Sequence, residues 1–504
     1  MIRQLVRPEA YGHPVAAGGP QLLETHLSWV LLSGPYAYKL KKPVAFGFVD
    51  FSTAELREQA CRDELRLNRR LSPERYLDVV PVYGPLEAAS FIPPATTPGE
   101  VLAWAVRMVQ FDQEQLLPAA LAAGQVGEGA IRELAERLAR FHRDAATAGP
   151  ETPWGKSEAV LQPVLDNLTA LADCPGAQAH LGPLTAWVRQ QAGALQPWFS
   201  QRQRGGHICE CHGDLHLGNM LLGASGIEVF DALEFSETLR WIDPISELAF
   251  LVMDLAVRGR ADLGTLLLNS WVEASGDGTG LRGWAWYSVY RALVRAKVSW
   301  LRLKQSGLAA AESRRIQTEL ASYLGLAMDW VQRQSQPLVL MHGLAGSGKS
   351  TVAVELSQQL GAVVFRSDVE RKRLFGLWGV KPTRQLEGEL YGPAASRHLY
   401  GTTLPALVEA ASAGGLAVIV DACFLRRSER QRMVALAGKL GIPVQIVVCT
   451  APEPLLRQRL LERTAAGSDP SDATVEVLQS QHQWLEPLDQ DEKVLVIAAP
   501  GAAN

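Results

Sequence analysis

Apolar and polar positions along the chain fall into blocks of different period. Residues 27–33 (Leu-Ser-Trp-Val-Leu-Leu-Ser) and 36–42 (Tyr-Ala-Tyr-Lys-Leu-Lys-Lys) read as strands, joined by the turn signal Gly34-Pro35. A helix is predicted from about Thr53 to Leu71, and Val101–Phe111 reads as another strand. Ile131, Leu134, Leu138 and Phe141 recur at helical spacing within 130–143. From about Pro244 to Val331 the pattern is mostly helical and rich in tryptophan. The Gln/Ser tract 332–336, ending at Pro337, marks a boundary, so two domains are predicted, 1–335 and 336–504. Beyond it, apolar runs at 338–341, 362–365, 416–420 and 444–449 alternate with helical stretches, the pattern of a parallel sheet covered by helices.

Composition narrows the class without choosing a function. A chain of 504 residues exceeds one ordinary core, and a net charge of −4 with 20% charged residues describes a globular protein. No polybasic segment points to nucleic acid. The six cysteines (Cys61, Cys174, Cys209, Cys211, Cys423, Cys449) are too scattered for a disulfide framework, which suits a reducing cytoplasm. No apolar run approaches bilayer length and the first residues lack a signal-peptide core, so neither export nor a membrane partner is expected.

The sharpest chemical signal is Gly343-Leu344-Ala345-Gly346-Ser347-Gly348-Lys349-Ser350, followed by Thr351 and preceded by an apolar strand. This is a P-loop (Walker A) pattern, in which backbone N–H groups cradle phosphates, Lys349 reaches the β/γ-phosphates and the Ser350 hydroxyl meets Mg²⁺. Val352, Leu356 and Leu360 then read as a helix stopped by Gly361, so a helix N-terminus faces the phosphates.

A second, unrelated set of groups suited to ATP and Mg²⁺ lies at 212–231. His212-Gly213-Asp214-Leu215-His216-Leu217-Gly218-Asn219 sets a carboxylate five positions before an amide, as in a kinase catalytic loop, where the Asp accepts a hydroxyl proton and the Asn ligates metal. The runs 220–222 and 227–230 flank Gly223-Ala224-Ser225-Gly226 and read as a hairpin that returns Asp231, a second metal ligand, to Asn219. A competing zinc set of His207, Cys209, Cys211 and His212 has alternate-position geometry but no second pair nearby.

On these residues the segment from about 25 to 330 resembles the aminoglycoside phosphotransferase and choline kinase family, whose fold is similar to that of protein kinases. The resemblance implies a two-lobed kinase-like fold, with Asp214 as base and Asn219 and Asp231 as metal ligands. It further assigns Lys39, in an Ala-x-Lys arrangement with Ala37, to the nucleotide phosphates, with Lys41 as a rival on the same face. Glu64 on the following helix becomes its partner. Only Gly34 stands where a glycine-rich loop would be. Asp243 before Pro244 reads as a helix cap.

In the second half, Asp368-x-x-Arg371 after a strand resembles small P-loop kinases, including polynucleotide kinases and zeta toxins. There the Asp activates the acceptor hydroxyl and the Arg contacts substrate. As an alternative, Asp368 caps the helix that follows. Asp421, at the end of 416–420, has the pattern of a Walker-B carboxylate facing hydrated Mg²⁺. Arg459 and Arg463 are four apart on one face of a predicted helix; the resemblance to P-loop kinases implies lid arginines there, with surface salt-bridging as the alternative. The whole chain then reads as an α/β and α+β fusion of an aminoglycoside phosphotransferase-like kinase with a P-loop parallel-sheet kinase. Each half would transfer the γ-phosphoryl of ATP·Mg²⁺ to a small hydroxyl acceptor. The rival readings are a polynucleotide 5′-hydroxyl kinase in the second half, against which the segment 382–389 shows no interleaved aromatic and basic residues, or a nucleotide-sensing module in one half.

Overall fold

The computed structural model describes the chain apart from residues 47–48, 95–98, 379–389, 467–470, 472 and 498–504, so the segment 382–389 lies outside the described residues. The chain divides into two compact units. One comprises Met1–Ala130, Asp144–Gly155 and Gln203–Glu247, the other Ile131–Arg143, Lys156–Arg202 and Leu248–Asn504.

The first unit is built on an antiparallel sheet of β1 (Gln21–Glu24), β2 (Ser28–Ser33), β3 (Tyr36–Lys41), β4 (Tyr76–Tyr83) and β5 (Val101–Val109), in the order β1-β2-β3-β5-β4. The β2–β3 turn needs Gly34: its φ is +59° and a Cβ there would lie 2.4 Å from the Pro14 carbonyl oxygen. Helix α1 (Ala54–Arg69), between β3 and β4, starts at Thr53, whose hydroxyl accepts from the Leu56 N–H at 3.3 Å. Alternation along β3 sends Tyr38 and Leu40 into a core with Leu5, Leu31, Val82 and Ala105. The same alternation leaves Lys39 and Lys41 on the opposite face, where both reach Glu64 of α1.

A hairpin of β6 (Met220–Gly223) and β7 (Gly226–Val229) follows, with Met220 opposite Val229 as its equal arms predict. Just before it, Glu210 ties α1 to the loop that leads to the hairpin. Arg66 grips its carboxylate at 2.8 and 2.9 Å and Arg240 at 3.1 Å. Arg70 donates to the carbonyls of Glu210 (2.6 Å) and Cys211 (3.0 Å).

The second unit begins with helices α2 (Glu128–Asp144, its ends in the first unit), α3 (Ser157–Ala170) and α4 (Gln178–Arg204). It continues through α5 (Pro244–Val257, its first turn in the first unit), α6 (Ala261–Ser275), α7 (Trp284–Leu303) and α8 (Ala310–Val331). Trp271, Trp284 and Trp286 are buried in its interior. A parallel five-stranded sheet follows: β8 (Leu338–His342), β9 (Val363–Arg366), β10 (Val418–Asp421), β11 (Val444–Val448) and β12 (Val496–Ile497), ordered β9-β10-β8-β11-β12. It is interleaved with α9 (Lys349–Leu360), α10 (Ser367–Arg373), α11 (Leu404–Ala413), α12 (Arg427–Leu440), α13 (Glu453–Ala466) and α14 (Val475–Trp484). Val339, Met341, Ile419 and Val447 form a core with Ala353 and Leu356 of α9. The kinase-like N-terminal region and the parallel sheet after residue 337 agree with the expected fold class. Among the described residues no helix is long and apolar enough to cross a membrane.

Burial pushes the Glu210 carboxyl up, but the hydrogen bonds from Arg66 and Arg240 and the charge of Arg70 outweigh it and hold it down to about 2, against an ordinary 4.5. A lowered carboxylate stabilises the fold above its unfolded value and loses that contribution as pH falls through the folded one. Glu210→Gln should therefore cost about 2–3 kcal/mol near neutral pH, where it removes the charge that Arg66, Arg70 and Arg240 share. In thermal melts the gap to the parent chain should close between about pH 4.5 and pH 2. A gap independent of pH would remove the ion-pair explanation.

Candidate active sites

In the first unit the loop 212–219 is shaped by hydrogen bonds to its own backbone. Gly213 has φ +89°, and its N–H donates to the buried Glu247 carboxylate at 2.6 Å. Burial lowers the His212 pKa, and the ring works as a neutral brace: Nδ1 accepts from the Asp214 N–H at 3.3 Å and Nε2 faces the Phe230 carbonyl at 3.0 Å. With both ring nitrogens so used, His212 is not offered to the zinc set considered above. Asn219 Nδ2 donates to the carbonyl and the carboxylate Oδ2 of Asp214, both at 3.0 Å. His216 Nε2 lies 3.4 Å from the same Oδ2. The proton-accepting candidate and its amide neighbour thus form one rigid piece.

The hairpin returns the chain as expected. Phe230 N–H donates to the Asn219 carbonyl at 2.9 Å, and the next residue is Asp231. Asp231 adopts φ +63°, a conformation that a residue with a Cβ rarely takes. The turn is held by its N–H on the Tyr76 hydroxyl (3.0 Å) and by the Ala232 N–H on Asn68 Oδ1 (2.9 Å). Both partners belong to the segment from α1 to β4, so helix, sheet and hairpin jointly aim the carboxylate.

Lys39 Nζ lies 2.5 Å from Asp231 Oδ1 and 2.8 Å from Glu64 Oε1. Lys41 Nζ lies 2.6 Å from Glu64 Oε2 and also binds Glu234. Glu64 is fully buried, whereas 45% of the Asp231 side-chain surface is open. Burial alone would lower the Lys39 pKa, but Asp231 and Glu64 hold it well above its ordinary value. Burial pushes the Asp231 and Glu64 carboxyls up and the lysines pull both below normal, whereas for Glu234 burial prevails. Lys39 is the lysine that touches Asp231, and Lys41 is a second member of the row. Sequence reasoning passed over Glu234, although it stands three residues after Asp231. Asp243 caps α5, accepting from the Ile245 N–H at 3.0 Å.

In the second unit Gly343, Gly346 and Gly348 have φ of +146°, +80° and +93°. A Cβ at Gly343 would fall 2.2 Å from the Cys449 carbonyl oxygen, so this loop can be made only of glycine here. Lys349 Nζ, buried, donates to the Leu344 carbonyl at 2.8 Å across the loop. The Ala345 N–H is held by Gln481 Oε1 of α14 at 2.8 Å. The Ser347 hydroxyl is buried with no hydrogen-bond partner among the described residues. Helix α9 begins at Lys349 and ends at Gly361 in the left-handed region, placing Ser350 and Thr351 in its first turn. A glycine-shaped loop, a buried cation and a helix N-terminus fit a polyphosphate.

Asp421 ends β10. Burial raises its pKa, while Lys349, a hydrogen bond with Ser350 and Arg366 work against that; Arg366 Nε is 3.7 Å away. Asp368 lies near enough to raise Asp421, Cys423 and the Tyr400 phenol. The cap of α10 is Arg366, so Asp368 stands inside the first turn and the capping alternative fails. Arg371 is buried, donating to the Leu390 carbonyl and Ser396 Oγ, both at 3.1 Å. Arg459 reaches the P-loop through the Gly346 carbonyl at 3.1 Å, whereas Arg463 binds the Ala473 carbonyl at 3.1 Å. The structure thus brings together Lys349, Ser350, Asp421, Asp368 and Arg459, with Arg371 held beside them by its own helix.

Comparison with known proteins gives each half a family. The family described as "Phosphotransferase enzyme family" matches residues 48–290, and that described as "AAA domain" matches 338–488. The uncharacterized proteins Mb2027c of Mycobacterium bovis and Rv2004c of Mycobacterium tuberculosis are each 31% identical over 459 residues, 90% of this chain and 88% of theirs. Among solved structures, a choline/ethanolamine kinase family protein from Mesorhizobium loti is 12% identical, covering 65% of this chain and 97% of that one with a TM-score of 0.37. A gluconokinase from Sinorhizobium meliloti is 22% identical, covering 33% and 83% with a TM-score of 0.21. The chain belongs to the family of these two mycobacterial proteins and is an ATP-dependent kinase, a phosphotransferase-family segment followed by a P-loop kinase segment.

Proposed function

We propose that each half transfers the γ-phosphoryl group of ATP to a hydroxyl of a small molecule such as a sugar, aminocyclitol or amino alcohol. The observation that carries this reading is the geometry of the first unit. Lys39 touches Asp231, and the hairpin ties Asp231 to the loop that holds Asp214 and Asn219. Phosphate-side cation, metal-side oxygens and proton acceptor are therefore gathered in one compact unit, which suits phosphoryl transfer to an alcohol.

Asp214 would take the acceptor proton as the hydroxyl oxygen bonds to the γ-phosphorus and the bond to ADP breaks. Lys39, held charged by its carboxylate partners, would neutralise the phosphates. In the second half Lys349 and the P-loop amides would do so, Arg459 would steady the loop, and Asp368 with Arg371 would meet the acceptor. Mg²⁺, when bound, supplies charge neutralisation on the phosphate oxygens. Asn219 and Asp231 would hold it in one site, Ser350 and Asp421 in the other, all being the hard oxygen donors it prefers. The six cysteines, all free thiols, support a cytoplasmic setting.

Transfer to a panel of labelled acceptors, 5′-hydroxyl oligonucleotides included, tests the reading on the full chain. Asp214→Ala should lower first-site turnover by about two to four orders of magnitude while nucleotide affinity stays within about twofold. Unchanged turnover would exclude Asp214 as the base. Oligonucleotide product that disappears in Lys349→Ala would replace the small acceptor with a nucleic-acid end. Gly343→Ala, which drives a methyl onto the Cys449 carbonyl, should abolish nucleotide binding at the P-loop and spare Asp214-dependent transfer. Loss of both activities together would contradict two separate sites.

A further inference from the structure

Strand β9 and helix α10 carry Arg366, Asp368 and Arg371, and β9 lies at the edge of the parallel sheet. An edge strand exposes one row of backbone donors and acceptors. Here Asn269, on α6 of the phosphotransferase-family segment, acts as a one-residue neighbouring strand. Its Oδ1 accepts from the Val364 N–H at 2.7 Å, and its Nδ2 donates to the Ala362 carbonyl at 3.0 Å and to Thr265 of its own helix at 3.0 Å. The amide has both a donor and an acceptor to give, which an aliphatic or carboxylate side chain would lack.

The far end of α10 is fastened to the same helix. Arg373 Nη2 donates to the Val272 carbonyl at 3.2 Å, which also accepts from the Gly276 N–H at the helix cap, and to the carbonyl of Glu273. Arg373 also pairs with Glu370, and Glu273 reaches Arg366 at 3.9 Å. Two glycines let the backbones close up. A Cβ at Gly278 would meet Leu407 at 2.6 Å and Phe365 at 2.9 Å, and one at Gly414 would meet the Leu281 carbonyl oxygen at 1.9 Å. Residues 248–504 lie in a single compact unit, so these contacts run within one body.

We propose that α6 of the first kinase segment is a working part of the second site. Through Asn269 and Arg373 it fixes the strand and helix that present Asp368 and Arg371, so the P-loop half is competent only while joined to the phosphotransferase half. Asn269 and Arg373 are positioning residues, touching neither nucleotide nor acceptor. The inference rests on the proposed roles of Asp368 and Arg371, but the clamp itself can be tested without them.

Hydrogen exchange on the full chain, with and without a non-hydrolysable magnesium ATP analogue, is the first measurement. In ligand-free Asn269→Ala and Arg373→Met, amides of 363–373 should exchange about ten- to a hundredfold faster, with core strands 338–342 and 418–421 unchanged. In the parent chain the analogue should slow exchange in 261–275 in a Lys349-dependent way, and both variants should lose that response while still binding the analogue. A role in stability alone would not move that response. The second measurement is Lys349-dependent phosphate release: kcat should fall at least tenfold with the KM for ATP within about twofold, and Arg373→Lys should restore part of it. Unaltered exchange at 363–373 in both variants would overturn the clamp. Altered exchange with unaltered kcat would overturn its positioning role. Failure of Lys349→Ala to affect analogue binding would instead count against the P-loop reading, and the ligand-free comparison would still decide the clamp.

Discussion

The first site depends on a row of ion pairs in which two lysines and the carboxylates of Glu64 and Glu234 are held where little water reaches them, while Asp231 at its end stays partly open. Any one of these groups left alone would carry a desolvation cost of several kcal/mol, so each is held only because its neighbours are in place. Glu64 sits at the centre, one oxygen to Lys39 and one to Lys41. Lys39 then links to Asp231 and Lys41 to Glu234. Strand β3, helix α1 and the hairpin exit are thereby bound to one charge pattern, and a shift in any of them would unpair the row. The same helix carries Arg66 and is capped by Arg70, and these two hold the chain just before Asp214. Lys39 and the loop that carries Asp214 are therefore referenced to one element.

The second site uses a different economy. Its loop is shaped by backbone, and the constraint is steric: glycines at 343, 346 and 348 adopt conformations or approaches that a side chain would block. Charge enters through few groups, chiefly Lys349 and Asp421, set at the C-terminal ends of adjacent strands β8 and β10 or just beyond. Loop geometry here can tolerate little substitution, whereas helix α10 relies on partners from elsewhere in the chain.

Much of this was readable from residue order, because the decisive signals were local. Gly34 between two strands, Thr53 before a helix, equal hairpin arms around 223–226 and the P-loop after an apolar strand each name their own structure within a few positions. What escaped lacked a local signal. Strand β1 is exposed along its whole length and shows no apolar alternation, and β4 carries Pro81 in mid-strand. Strand β12 is two residues long. Lys41 looked like a rival to Lys39 because one face of a strand offers both, and only the fold shows that Glu64 has an oxygen for each. Asp368 resembled a cap until the structure gave that place to Arg366. Asn269 and Arg373 had no signal at all, since each meets its partner about a hundred residues away.

Two independent nucleotide sites on one chain are the central claim, and stoichiometry tests it most directly. Calorimetric titration of the full-length protein with a non-hydrolysable magnesium ATP analogue should show two equivalents bound per chain, with Lys349→Ala retaining one. A single equivalent in the parent chain, or none, would contradict the account.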